Sequence, residues 1–170
     1  MRAVRRLNLK IQEDEMKGLI LLTCYFAHLL AAVIWVGGII FILYIAIPSS
    51  RQVLGREAGK LMGDISKRFT PVANCSILSL VITGVVLTWS KKYFQGSSFF
   101  ESVQGAMSLK YLLALMMIGI HFYRGLVLAP KIIAAEPSQK SFLQKISLNL
   151  VKVNLWLGVI ILLLSGIMRG

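Results

Sequence analysis

Residues 28–38 read HLLAAVIWVGG and lie in the middle of the first long apolar segment, residues 18–47. A helix needs about 20 residues, at about 1.5 Å each, to cross roughly 30 Å of hydrocarbon. The segment is long enough to do so. The stretch therefore predicts a lipid-buried helix that carries an ionisable imidazole, His28, together with Trp35 and a glycine pair.

Three further apolar segments of similar length follow, at 71–90, 107–129 and 148–168. Short connections between consecutive spans favour antiparallel neighbours. We predict an all-α integral membrane protein, a four-helix bundle with up-down-up-down topology. This domain, 18–170, follows a polar N-terminal tail, 1–17. Pro48 is expected to end the first span and Pro71 to begin the second.

The composition supports a membrane class, since 56% of the residues are hydrophobic, 15% are charged and the mean hydropathy is +0.74. The net charge of +12 raises nucleic acid as a partner. However, most lysines and arginines lie between the apolar segments, as expected for loops that flank membrane spans. We therefore predict a lipid bilayer as the environment and no nucleic-acid partner.

The distribution of positive charge bears on orientation. Ten of the 19 lysines and arginines fall on the side of the first and third connections, and nine on the other side. If translation starts at Met16, the second group loses four. The positive-inside rule then places both termini outside and the two connections in the cytoplasm. The expected location is the cell membrane, with several passes.

His28 and His121 are the two histidines of the chain. Counted from Gly18 and from Lys110, which are expected near the same membrane face, each lies roughly 15–17 Å into the membrane. The first and third spans run in the same direction, so the two imidazoles are predicted to have similar depth. Such a pair could hold the metal of a planar macrocycle between them. The simpler alternative is hydrogen bonding between helices, with Asn74 and Asn154 as partners.

Residues around the two histidines could complete a site. Trp35 and Gly38 follow His28 on a face of small residues, which leaves room for a helix or a cofactor. Lys110 and Arg124 bracket His121 and could meet haem propionates, or could extend to lipid headgroups. Met117 lies one turn before His121, and a thioether suits Cu(I), although methionine is also a common core residue.

The stretch HLLAAVIWVGG resembles the first-helix signature of the copper resistance protein D (CopD) family and of the related HemJ-type protoporphyrinogen oxidases. Residues 67–72, KRFTPV, resemble the basic, proline-containing entry to the second helix of this group. Residues 109–115, LKYLLAL, with His121 downstream, resemble its third-helix pattern of lysine and histidine.

The resemblance implies a four-helix membrane fold. For the HemJ-type proteins it implies bound b-type haem, with functional positions that fall on His28 and Lys110. Residues 39–51, IIFILYIAIPSSR, depart from the Leu-Pro-Arg continuation of HemJ-type first helices. For CopD-like proteins the resemblance implies copper uptake or tolerance, often with a periplasmic copper-binding partner.

The leading hypothesis is one haem b between His28 and His121, used for membrane electron transfer or a redox reaction with a redox partner. The residues expected to contact this cofactor are His28, His121, Lys110, Arg124, Trp35 and Gly38. The alternative is copper transport or tolerance, in which His28, His121 and Met117 bind the metal. A second alternative is a structural membrane subunit without a cofactor. The sequence leaves the oligomeric state and any catalysed reaction open.

Overall fold

The computed structural model describes residues 2–167, with side chains except at 2–4, 7, 91–104, 106, 137 and 167. Every described residue other than Ala135 and Glu136 is helical. The α-helices are α1 (Arg2–Phe41), α2 (Ile47–Leu54), α3 (Ala58–Phe122), α4 (Ala129–Ala134) and α5 (Pro137–Ile167). Between them lie two π-helical segments, Ile42–Ala46 and Tyr123–Leu128, and one 3₁₀ turn, Gly55–Glu57.

The chain reverses direction after α2 and again within α3. Gly55, with φ of 51°, makes the first reversal, in a backbone region that favours glycine. Thr88 then hydrogen-bonds Tyr111, although 23 residues of straight helix would put them about 34 Å apart. The part of α3 up to Ser90, hereafter the first arm, therefore lies beside the part from Met107, hereafter the second arm.

Pairs of contacts show that neighbouring helices are antiparallel. A Cβ on Gly38 would meet the ring of Phe69, while His28 reaches Thr83 further along the first arm. A Cβ on Gly158 would lie 3.3 Å from the methyl carbon of Met117. Arg124 reaches back to Ser147 in α5. Thus α1 is antiparallel to the first arm, and the second arm to α5.

The two prolines expected at span boundaries, Pro48 and Pro71, lie within helical backbone instead. Pro48 does not end the helix but follows the π-helical Ile42–Ala46 as an early residue of α2. Pro130 is likewise an early residue of a helix, α4, that follows a π-helical segment, Tyr123–Leu128. A proline lacks the N–H for a bond to the preceding turn and its ring crowds the carbonyl there, and a wider π turn accommodates both effects.

Pro71 lies inside α3, which begins at Ala58, so the expectation that Pro71 starts a helix is wrong. The charged segment before it is itself helical, and the Thr70 hydroxyl donates to the carbonyl of Ser66 at 2.8 Å. The helix thus continues across the proline, at the cost of one backbone hydrogen bond.

Three helices in the described part of the chain are long and apolar enough to cross a membrane: Asn8–Ser90, Met107–Ala134 and Ser138–Gly166. The count is three rather than the predicted four because α1, α2 and the first arm follow one another without a non-helical break. Together they form one continuous stretch of 83 residues. The protein is therefore all-helical, with helices suited to spanning a membrane.

The core is small and the outer surface is apolar. Trp35, Val36, Ala73, Met117 and Leu155 belong to one buried cluster that joins α1, both arms of α3 and α5. Many large apolar side chains instead face outward, among them Leu22, Phe26, Val85, Leu112 and Leu163. An outer surface of this kind matches lipid, where close packing rather than exclusion of water holds helices together.

Candidate functional site

His28 lies on α1, half-buried against the first arm of α3. Its Nδ1 is 2.8 Å from Oγ1 of Thr83. The Thr83 hydroxyl already donates to the carbonyl of Ser79 at 2.5 Å, so this oxygen accepts from Nδ1–H of the histidine. In the neutral ring, Nε2 is then the nitrogen that carries the lone pair. The site residues predicted from the sequence did not include Thr83. The signal that could have identified it is a hydroxyl group within an apolar helix.

His121 lies on the second arm and bonds the first arm from the other side. Its Nε2 is 2.9 Å from Oδ1 of Asn74. An amide oxygen only accepts, so the histidine donates through Nε2–H and carries its lone pair on Nδ1. The prediction of Asn74 as a histidine partner is confirmed. The indole of Trp35 stands edge-on to the imidazole, with ring centroids 6.1 Å apart and planes at 88°.

The two imidazoles do not share a depth. Their partners, Thr83 and Asn74, are nine residues apart on one helix, which is about 14 Å along its axis. His121 contacts Trp35, which lies seven residues or about 10 Å beyond His28 on α1. The prediction of matching depth is wrong. Counting from the start of each apolar segment failed because α1 and α3 extend past those points and packing sets their register.

This separation tests the predicted haem site. Two imidazoles that bind one metal at about 2.0–2.1 Å each hold their ligating nitrogens about 4 Å apart. His28 and His121 are too far apart along the helices to meet that requirement. The pair does not fit as the two axial ligands of one haem.

Met117 lies one helical turn before His121 and on the same face. It is among the most buried side chains, with 2% exposed. Its methyl carbon and sulfur lie 3.3 and 3.8 Å from the position of a Cβ on Gly158, so this glycine makes room for the thioether. A buried thioether and a half-buried imidazole thus lie one turn apart on the same helix face, and both groups suit copper.

Asn154 adds a third polar group at this level. It lies one turn before Gly158 on α5, and His121 lies one turn after Met117. Because these helices are antiparallel and Gly158 meets Met117, Asn154 comes level with His121. Asn154 is 3% exposed, and its Oδ1 has no hydrogen-bond partner among the described residues. A buried, unpaired acceptor costs about 1–3 kcal/mol, which singles this atom out as a candidate ligand.

Three further residues were predicted to belong to the site: Arg124, Lys110 and Gly38. Arg124 donates from Nε to the Ser147 hydroxyl at 3.2 Å. Lys110 is half-buried almost three turns before His121. Gly38 packs against Phe69, whose ring would overlap a Cβ at this position, so a neighbouring side chain fills the space beside the glycine. The structure thus groups Trp35, Met117 and His121, and separates them from His28.

Among the described residues, no group of three or more His, Cys, Asp or Glu side chains could hold a metal ion together. A site with imidazole together with thioether or amide groups is of a different kind. Met117, His121 and Asn154 are such a combination.

Long apolar helices with histidine, asparagine and methionine in their core define a multi-pass membrane protein. A sequence profile described as copper resistance protein D matches residues 63–168, which include most of the first arm of α3, the whole second arm and all of α5. The chain therefore belongs to the CopD family. The matched residues include Asn74, Met117, His121 and Asn154, whereas the HLLAAVIWVGG stretch lies before them. Comparisons with curated proteins and with solved structures found no match.

Proposed function

We propose that this CopD-family protein passes copper ions through the membrane, with Met117 and His121 as one set of ligands. The observation that carries the proposal is the pairing of a buried thioether with an imidazole whose Nδ1 carries the lone pair. Asn74 would not bind the metal itself. It would orient His121, because a hydrogen bond to the second ring nitrogen fixes the orientation of a ligating histidine. The unpaired Oδ1 of Asn154 supplies an additional oxygen at the same level.

His28 provides a second position along the same bundle. The offset of about 10–14 Å from His121, which argues against a shared metal, suits a path with successive sites. An ion moves along a pore when each site binds it strongly enough to admit it and weakly enough to release it. Open sets of two or three ligands meet this condition better than a closed site with four.

The proposal includes the predicted architecture of four spans in up-down-up-down order. It is supported by the antiparallel contacts of α1 with the first arm, of the two arms with each other through Asn74–His121 and Thr88–Tyr111, and of the second arm with α5. We further propose that both termini lie outside. The ion would then enter from, or leave to, a copper-binding protein on the outer side.

Haem b is the second candidate, with one imidazole rather than two as its ligand. His28 favours it, because a ring held through Nδ1–H directs the lone pair of Nε2 away from Thr83. This candidate corresponds to a membrane redox function. Absorption spectroscopy distinguishes it from copper transport.

The test measures bound copper and haem on protein purified in mild detergent. We expect Cu(I) to bind, with affinity reduced about tenfold or more in both Met117→Leu and His121→Ala. Met116→Leu is the matched control, since Met116 is adjacent but 48% exposed and points about 100° away. Copper flux into proteoliposomes should fall in the same two variants.

Two results would contradict copper passage. One is equal Cu(I) affinity in Met117→Leu and Met116→Leu. The other is a stoichiometric Soret and alpha band, in the reduced-minus-oxidised spectrum, that is lost in His28→Ala. The second result would establish haem instead.

A further inference from the structure

A cavity of about 300 Å³ opens between residues 43–51, in the first π-helical segment and α2, and residues 148–156 in the middle of α5. Its lining combines two cations, Arg51 and Lys152, with two aromatic residues, Tyr44 and Trp156. The rest of the lining is apolar and includes Ile47 and Leu148. We propose that this cavity binds an anionic phospholipid, with the phosphate between Arg51 and Lys152 and the upper acyl chain against the apolar lining.

The two cations lie at headgroup depth. Arg51 is one turn beyond Ile47, where the first apolar segment ends, and Lys152 is one turn after Leu148, where the last one begins. Both side chains are exposed. The ion pairs found in the described part of the chain, Lys17–Glu13 and Lys60–Glu57, use neither of them. Two cations that line one cavity, with no carboxylate partner among the described residues, can together bind an anion.

The aromatic residues lie along the cavity at two depths: Tyr44 is three residues before the end of the first apolar segment, and Trp156 is eight residues, about 12 Å, into the last one. Tyr44 and Trp156 are each 67% exposed. Amphipathic rings of this kind concentrate where hydrocarbon meets headgroups, because one edge is apolar and the other forms hydrogen bonds. A ligand here contacts water and lipid at once.

The chemistry of the lining selects the lipid class. Guanidinium matches the oxygens of a phosphate in a bidentate fork, and an ammonium adds a point charge. A choline headgroup would bring a third positive charge close to these two. Free phosphate would leave the apolar lining uncovered. Basic pockets between membrane helices bind anionic headgroups for the same reasons.

The test uses tryptophan fluorescence, since Trp156 lines the cavity. The double variant Trp35→Phe/Trp89→Phe leaves Trp156 as the single tryptophan of the full chain. This protein, in mild detergent, is titrated with phosphatidylglycerol or phosphatidylcholine that carries brominated acyl chains, which quench nearby indoles. Each basic residue near an anionic surface strengthens binding about fivefold, so we expect half-quenching at an up to about 25-fold lower fraction of phosphatidylglycerol.

Variants that remove positive charge test whether the preference for phosphatidylglycerol depends on Arg51 and Lys152. In the same background, Arg51→Gln/Lys152→Gln should quench equally with the two lipids, and Lys152→Arg should keep the preference. Arg56→Gln/Lys60→Gln is the matched control, because it removes two exposed cations that lie outside the cavity lining. Helical circular dichroism checks that each variant is folded.

Three outcomes would overturn the proposal. The first is equal quenching by the two lipids in the parent protein. The second is the same loss of preference in the control pair as in the cavity pair. The third is protection of Trp156 from both lipids that grows with protein concentration, which would show that a second copy fills the cavity. Complete competition by glycerol phosphate at matched concentration would identify free phosphate as the ligand and reject the lipid.

Discussion

His121 donates a hydrogen bond from Nε2 to Oδ1 of Asn74 over 2.9 Å, and this bond joins the two arms of α3. It also determines which ring nitrogen can bind a metal, because the proton on Nε2 leaves the lone pair on Nδ1. Asn74 was expected only to hold helices together. In the structure it both joins the arms and orients a candidate ligand.

Replacing Asn74 should therefore weaken copper binding without removing a ligand. We expect Asn74→Leu to lower the Cu(I) affinity about 10–100-fold, as is typical when the group that orients a ligating histidine is lost. Asn74→Asp keeps an acceptor oxygen and should retain more of the affinity. A competition titration with a Cu(I) chelator measures both variants. Unchanged affinity in Asn74→Leu would mean that His121 is not a copper ligand through Nδ1.

Asn154→Leu should separate stability from function. The unpaired Oδ1 of Asn154 is a net cost in the metal-free protein, so an apolar residue of similar size should stabilise that form by about 1–3 kcal/mol. If the same oxygen contacts the ion, Cu(I) affinity should fall. Thermal unfolding in detergent, with and without Cu(I), reports both quantities. A variant with lower stability and unchanged affinity would contradict this role.

Gly38→Ala should destabilise the protein through the contact with Phe69. The added methyl group would overlap Cζ of that ring, so the helices must separate or the ring must rotate, at a cost of about 1–3 kcal/mol. Gly37→Ala is the matched control, because a Cβ there meets nothing within 4 Å. The melting temperature should fall in the first variant only. Similar values for the two would show that α1 and the first arm are not closely packed at Gly38.

Thr83→Val should loosen His28 while preserving the shape of the side chain. Loss of the hydroxyl removes the acceptor for Nδ1–H, a bond between membrane helices worth about 0.6 kcal/mol on average. The effect on stability should therefore be small, and copper flux should fall more clearly if His28 is the second ligand position. Thr83→Ser keeps the hydroxyl and should behave as the parent. Equal flux in both variants would remove His28 from the path.

Reporter fusions test the orientation. A reporter at residue 55, near the turn after α2, is expected in the cytoplasm, and one at residue 95, between the two arms, is expected outside. The reason is the count of basic residues if translation starts at Met16, which is ten on the side of the first and third connections and five on the other side. A cytoplasmic residue 95 would reverse the orientation and with it the direction from which copper enters.

The membrane class follows from local properties of the chain. Apolar segments of sufficient length predicted the helices, since in lipid a backbone satisfies its own hydrogen bonds most simply as a helix. HLLAAVIWVGG and LKYLLAL indicated the family. The same reasoning misplaced Pro48 and Pro71 as boundaries, because α-helix with π turns continues through both regions. Apolar runs mark membrane depth rather than the ends of helices.

The sequence by itself determined that this is a helical membrane protein of the CopD type with a histidine in each of two apolar segments, because length, hydropathy and short motifs are properties of neighbouring residues. Only the tertiary structure decided that His121 meets Trp35, Met117 and Asn74 while His28 meets Thr83. That choice depends on the register between helices, which contacts such as Gly38 with Phe69 and Gly158 with Met117 determine. These partners are far apart in the chain, and no local pattern predicts how two packed helices align.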